Sequence, residues 1–264
     1  MTESEYEKKM RDLIESANNL NDKQIRKTRK ILERLRKDIA AQIASTEWEL
    51  FRQDEILEAI DEAFMKFSDD LIKHMDTVAL TGAKSGDRLI GDLLKMQDIK
   101  SVTAVSDTLL GVLQGYSADL ITGLTDDLIR TVSDTIIMSL IEGLSVFDTM
   151  QEIGGSIDAG IFASIDARAE TITRTEFARA NAMARDARIQ KVVTMHPDKK
   201  FYKRWIHSGR SLNARKRHAQ LNGKTISFNS LFQLDTANAS YPHEPGLPPS
   251  EICNCRCVHI LVWK

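Results

Sequence analysis

No proline precedes residue 197, and all five prolines then fall in the tail, at Pro197, Pro242, Pro245, Pro248 and Pro249. Proline removes a backbone donor and clashes with the preceding helical turn. A stretch free of it for so long can carry long unbroken helices, and a proline-rich tail cannot. The same tail holds all three cysteines (Cys253, Cys255, Cys257) and five of the six histidines: His196, His207, His218, His243 and His259. Two kinds of polymer are therefore joined near Met195: a helical body, and a turn-rich Cys/His-bearing cap in which chemistry or specific recognition is expected.

Apolar periodicity divides the body. Residues 3–19 read as a short amphipathic helix with Tyr6, Met10, Leu13 and Ile14 on one side, broken at 18–22 by residues suited to a helix N-cap. The next helix, 22–45, sets Ile25, Thr28, Leu32, Leu35, Ile39 and Ile43 at alternating three- and four-residue steps. Such a narrow seam wants a partner. Its outer face is basic and reads as solvated. A long helix is expected over 46–97, with Gly82 and Gly86 marking a kink or loop. A connection at 101–107 and a short helix ending near Gly115 precede a strong helix over 117–144, striped by Leu120, Leu124, Leu128, Val132, Ile136 and Leu140. A short helix at 145–153 stops at Gly154, and the last body helix covers 164–194.

Beyond Met195 the period changes. A strand over 201–206, a short helix over 213–221, loops with strand fragments over 224–250 and a closing strand over 257–263 make a small α+β unit. The expected fold is mainly α with a small C-terminal α+β domain: an elongated helical body over 1–144, a helical stretch over 145–195 and a compact cap over 196–264. A core that small gains from a metal or from docking onto the body.

Charge is unevenly spread. The chain carries −2 overall, yet residues 196–264 hold eleven Lys/Arg against four Asp/Glu, which leaves +7 on the cap and −9 on the remainder. A basic cap suits a polyanion, or else meets the acidic surface of its own body. The start lacks an apolar signal region, and no apolar run is long enough to span a bilayer. Three cysteines cannot all pair, and a reducing cytoplasmic site of synthesis fits best.

Alternation along a strand puts Cys253, Cys255 and Cys257 on one face. Cys-x-Cys alone is a weak zinc signal, because the chain needs more residues to turn around a metal. It strengthens if His218, His243 or His207 is brought in. Bound zinc, buried reduced thiols and a disulfide all remain open. A nucleophilic hydrolase needs a thiolate, a base and an orienting group, and no acid stands at a suggestive spacing. On the last body helix Glu176 can pair with Arg179 as a surface ion ladder, and Arg174, Arg179, Arg185 and Arg188 together offer a face to a polyanion.

An ordered series of residues carries a family resemblance. It runs from Arg174, Glu176 and Asn181 through Trp205, Arg215 to His218, Gly223 and Pro242 to Asn254, Cys255, Arg256 and Cys257. Over roughly 145–264 the chain resembles the bacteriophage head-morphogenesis (Mu F-like) minor head protein family. The resemblance implies a structural minor capsid protein of a tailed phage rather than an enzyme. It implies synthesis in the host cytoplasm, assembly into the virion head beside the portal protein and other head proteins, and a position facing packaged double-stranded DNA. No membrane partner is expected. Cys253 is an extra thiol beside the usual Asn-Cys-Arg-Cys. Some relatives carry a toxin or transferase domain after this motif; with Lys264 seven residues past Cys257, none is expected here. Arg204, Arg210, Arg215, Lys216 and Arg217 are the expected non-specific DNA contacts. His218, Cys253, Cys255 and Cys257 are the candidate metal ligands, with zinc the candidate ion. The rival readings are a Cys/His or zinc-dependent hydrolase and a DNA-binding accessory protein unrelated to capsids.

Overall fold

A computed structural model describes residues 3–96, 98–155, 158–207 and 214–263. Five helices come first: α1 (Glu3–Ser45), α2 (Gln53–Lys95), α3 (Asp107–Glu142), α4 (Val146–Gly154) and α5 (Gly160–Met195). The tail follows as β1 (Phe201–Ile206), α6 (Lys216–Gln220), β2 (Thr225–Ser227), β3 (Phe232–Gln233), β4 (Asn238–Ala239), α7 (Pro249–Ile252) and β5 (Val258–Trp263). The chain is thus mainly α with a small C-terminal α+β region. Among the described residues no helix is long and apolar enough to cross a membrane.

Two expected interruptions are absent. Helix α1 continues through 18–22, and α3 continues through Gly115. Asparagine or glycine inside a helix costs only about 0.5–1 kcal/mol each, and packing overrides so small a term. Ala17, Asn21, Gln24 and Ile25 are all buried, and the Asn21 amide donates to the Arg174 carbonyl at 3.3 Å. The expected helix over 46–97 begins later instead: the chain turns at 46–52, where the Trp48 indole N–H donates to the Leu144 carbonyl at 2.8 Å. Ser145 then caps α4, its hydroxyl accepting from the Asp148 amide at 3.1 Å.

The chain forms two compact units, one of residues 1–23, 77–114 and 174–264, the other of 24–76 and 115–173. Their boundaries fall inside α1, α2, α3 and α5. The second unit is all helical. Its core is the expected seam of Leu32, Leu35, Ile39 and Ile43, with Ile56, Ile60, Phe64, Phe67 and Leu71 of α2 and Leu124, Leu128, Val132 and Ile136 of α3. A buried polar network crosses it. His74 Nε2 lies 3.1 Å from both the Gln24 carbonyl and Thr28 Oγ1, and Thr28 shares a 2.8 Å hydrogen bond with Thr173.

The first unit holds the α+β region. Gly82 and Gly86 are not a kink there. They let α2 lie against α5: a Cβ on Gly82 would meet the Phe177 carbonyl oxygen at 2.6 Å, and one on Gly86 would land on the Asn181 carbonyl. One apolar cluster joins Met10 and Ile14 of α1, Leu89, Leu93 and Leu94 of α2, Ile189 and Val192 of α5, and Phe201, Ile260 and Leu261 of the sheet. The sheet runs β2-β1-β5, antiparallel throughout, with Arg204 opposite both Thr225 and Ile260. A smaller cluster of Trp205, Leu221, Phe232, Leu234, Ala239, Cys255 and Cys257 belongs to the tail alone.

Candidate metal centre

Three short elements deliver the cysteines and histidines to one place. β1 ends at Ile206 and hands on His207. Helix α6 points His218 inward, where Trp205 meets its ring edge-on at 5.3 Å. Pro249 opens α7 at a position whose missing N–H costs nothing. The chain then turns: the Cys253 amide donates to the Pro249 carbonyl and the Cys255 amide to that of Ile252, both at 3.0 Å. Asn254 closes the turn at φ +58°, in the left-handed region that asparagine tolerates better than most residues.

That turn overrides the expected alternation of three sulfurs along one strand face. Cys253 stays half-buried, while Cys255 and Cys257 are buried. One donor atom each from His218, Cys255 and Cys257 lies within 4.8 Å of the others, a group able to hold a metal ion. His218 Nδ1 is 3.5 Å from Cys255 Sγ and 3.8 Å from Cys257 Sγ. Cys253 is outside this group. His207 Nδ1 approaches Cys257 Sγ at 3.4 Å. His243 instead spends its Nε2 on the Cys255 carbonyl, 3.1 Å away.

Glu251 is the residue that sequence reasoning missed. One of its oxygens lies 2.9 Å from His218 Nε2. The other accepts from the Thr236 amide at 2.7 Å and the Thr236 hydroxyl at 2.6 Å. A carboxylate on Nε2 fixes that nitrogen as the donor and leaves the Nδ1 lone pair aimed at the sulfurs. The only sequence signal was an acid two residues before the first cysteine, with nothing to link it to His218. Burial alone would lower the His218 pKa, but hydrogen bonds to Cys255 and Glu251 prevail and raise it. A hydrogen bond from Cys257 holds the Cys255 thiol well below its usual range, and the same bond, with burial, pushes Cys257 up. The pair thus gives up one proton readily and holds the second.

The residues of the family series gather around this cluster. Arg174 Nη1 donates to Asn254 Oδ1 across eighty positions of sequence. The Gly223 amide, at φ +77°, donates to the Trp205 carbonyl at 2.8 Å. Arg256 lies 3.6 Å from Asp22 of α1, a place where the basic tail meets an acid of the helical part. Glu176 and Arg179 are not a surface ladder: at 3.7 Å apart, their side chains are only 2% and 8% exposed. The proposed arginine face of α5 is likewise turned inward. Arg185 is buried, which pushes its pKa down to about 10, and Arg188 binds Asp87 Oδ2 at 2.7 Å. Arginines on a helix cannot be assigned a face by spacing when carbonyls and acids wait on both sides.

Among the candidate DNA contacts, Arg215 donates to the carbonyls of Ser250 and Cys253, the latter at 2.9 Å. Arg217 donates to the Gln233 carbonyl at 2.8 Å, and Arg204 to Thr225 Oγ1 at 3.0 Å. Lys216 is exposed. Arg210 lies outside the described residues. Arg215 and Arg217 therefore tie α6 to the turn before the cysteines and to β3.

No curated protein and no solved structure matches the chain. Residues 130–260 match the family described as Phage Mu protein F like protein. The match reaches further toward the N-terminus than the resemblance did, taking in the last turns of α3, and it covers the whole Cys/His cluster. Through residues 130–260 this chain belongs to the Phage Mu protein F like family, a family of phage head morphogenesis.

Proposed function

We propose that the protein is a minor head protein of a tailed bacteriophage, acting in head assembly beside the portal and close to packaged DNA. The family match over 130–260 carries this reading. The chemistry around the cysteines supports a structural rather than catalytic role. Glu251, His218 and Cys255 do make an acid–imidazole–thiol series, the arrangement a nucleophilic hydrolase needs. Yet His218, Cys255 and Cys257 are each at most 5% exposed. The cavity that both cysteines line, about 30 Å³, has room for one water and none for an acyl substrate. A buried Cys/His set is suited to holding a small α+β region together, and zinc is the ion that two thiolates and imidazole prefer.

In this reading the helical parts dock on portal and other head proteins through their apolar surface. The α6 neighbourhood, with Arg204, Lys216 and the outer parts of Arg215 and Arg217, attracts DNA phosphates without reading sequence. Co-expression with the portal and shell proteins of the same phage, followed by gradient sedimentation, tests it. The chain should travel with assembled heads in a few copies per particle. Heads that form normally and leave it at the top of the gradient would refute the proposal.

A further inference from the structure

We infer that the cluster is a closed four-coordinate zinc site of two sulfurs and two nitrogens, with His207 as its fourth ligand and Cys253 excluded. This rests on the reading of the cluster as a metal centre and goes further by assigning the complete ligand set. Zinc bonded tetrahedrally at about 2.3 Å to sulfur and 2.0–2.1 Å to nitrogen places each nitrogen about 3.6 Å from each sulfur. The distances here are 3.4 Å from His207 Nδ1 to Cys257, and 3.5 and 3.8 Å from His218 Nδ1 to Cys255 and Cys257. They straddle the tetrahedral value. The same distances suit hydrogen bonds to sulfur, and they are compatible with ligands around a common centre.

His207 stands outside the three-residue group but offers a fourth atom, its Nδ1 lying 3.4 Å from Cys257 Sγ. It enters from the end of β1, on the side of Cys257. His243 sits beside Cys255, but its Nε2 is committed to the Cys255 carbonyl. Its Nδ1 is buried without a hydrogen-bond partner, which makes His243 the rival ligand that the variants below must separate from His207. Cys253 lies before the left-handed Asn254, outside the convergent group. The support around the ligands has the form metal sites require. Glu251 orients His218, and Thr236 orients Glu251. His207 is itself placed by a 2.9 Å hydrogen bond from its amide to Asn222. It also lines a cleft of about 440 Å³ beside Arg11 and Arg204, which gives an ion a way in. Binding would release to solvent whatever protons the thiols still hold and leave zinc with four protein ligands and no position for substrate, so the site is structural.

The test uses the full chain, purified reduced and without chelator, then stripped and titrated with zinc or cobalt(II). One equivalent should bind, and cobalt should show the intense visible bands of a tetrahedral thiolate site. His207→Ala should weaken zinc by more than about tenfold and change the cobalt spectrum, and His207→Cys should restore both. His243→Ala and Cys253→Ser should leave both unchanged. Rescue by a second ligand type separates coordination from a packing role. If zinc binds but His207→Ala is indistinguishable from the parent, or if the loss appears with His243→Ala or Cys253→Ser instead, this ligand assignment is overturned while the metal reading stands. If the reduced parent chain binds neither ion, both fall.

Discussion

Glu251 shows how much a single side chain can settle. Its two oxygens satisfy the Thr236 amide and hydroxyl and the His218 imidazole, all at hydrogen-bond distance inside a buried pocket. Removing the carboxylate leaves those donors without partners, at about 1–3 kcal/mol for each buried group. Glu251→Ala should therefore lower the unfolding free energy by about 2–4 kcal/mol in urea titrations. Glu251→Gln, which keeps an acceptor, should lose clearly less. Equal losses would mean that the acid does not organise the site. His218, Cys255 and Cys257 were legible in the sequence because cysteine and histidine are rare and concentrated there. Glu251 was not, because acids are common and its partner stands thirty-three positions away. Nor was the exclusion of Cys253, which depends on the backbone sign at Asn254 rather than on residue type. Arg215, read as a DNA contact, spends its guanidinium on two carbonyls of the turn.

At the scale of elements, periodicity located most helices and both long strands, and it failed at their interruptions. Asparagines at 18–21 and the glycine at 115 resemble stops, but a long apolar stripe outweighs a fraction of a kcal/mol of local preference. Gly82 and Gly86 carry the opposite lesson, since their role is to bring two backbones together. Gly86→Ala should therefore cost about 1–3 kcal/mol of stability, read as a lowered melting temperature, whereas Gly123→Ala, in open space on α3, should stabilise slightly. A Gly86→Ala protein as stable as the parent would contradict the close packing of α2 on α5. The buried His74 in the all-helical unit adds a pH dependence. Burial pushes its pKa below the ordinary 6.5 despite the hydrogen bond to the Gln24 carbonyl. Below pH 6.5 the unfolded chain takes up a proton that the folded one refuses, so stability is complete above that value and falls as the solution is acidified toward the depressed folded pKa. Relative to His74→Gln, the parent should lose stability between pH 7.5 and 5. A constant difference across that range would show that His74 is not held neutral.

For the whole molecule, a proline-free helical stretch and a short α+β tail were both visible in composition. Their interleaving into two compact units was not, because the pieces of each unit are distant in sequence. The tail has only a small core of its own and shares a larger one with α1, α2 and α5. A region so constructed needs a fastening, and the convergence of His218, Cys255 and Cys257, with His207 beside Cys257, offers a place for one. Native mass spectrometry of the full reduced chain, purified without chelator, tests this most directly. The account predicts a single species heavier than the bare polypeptide by one zinc ion, which a Cys255→Ser, Cys257→Ser double variant lacks. A parent chain that flies at the mass of the metal-free polypeptide, with its thiols reduced, would contradict it.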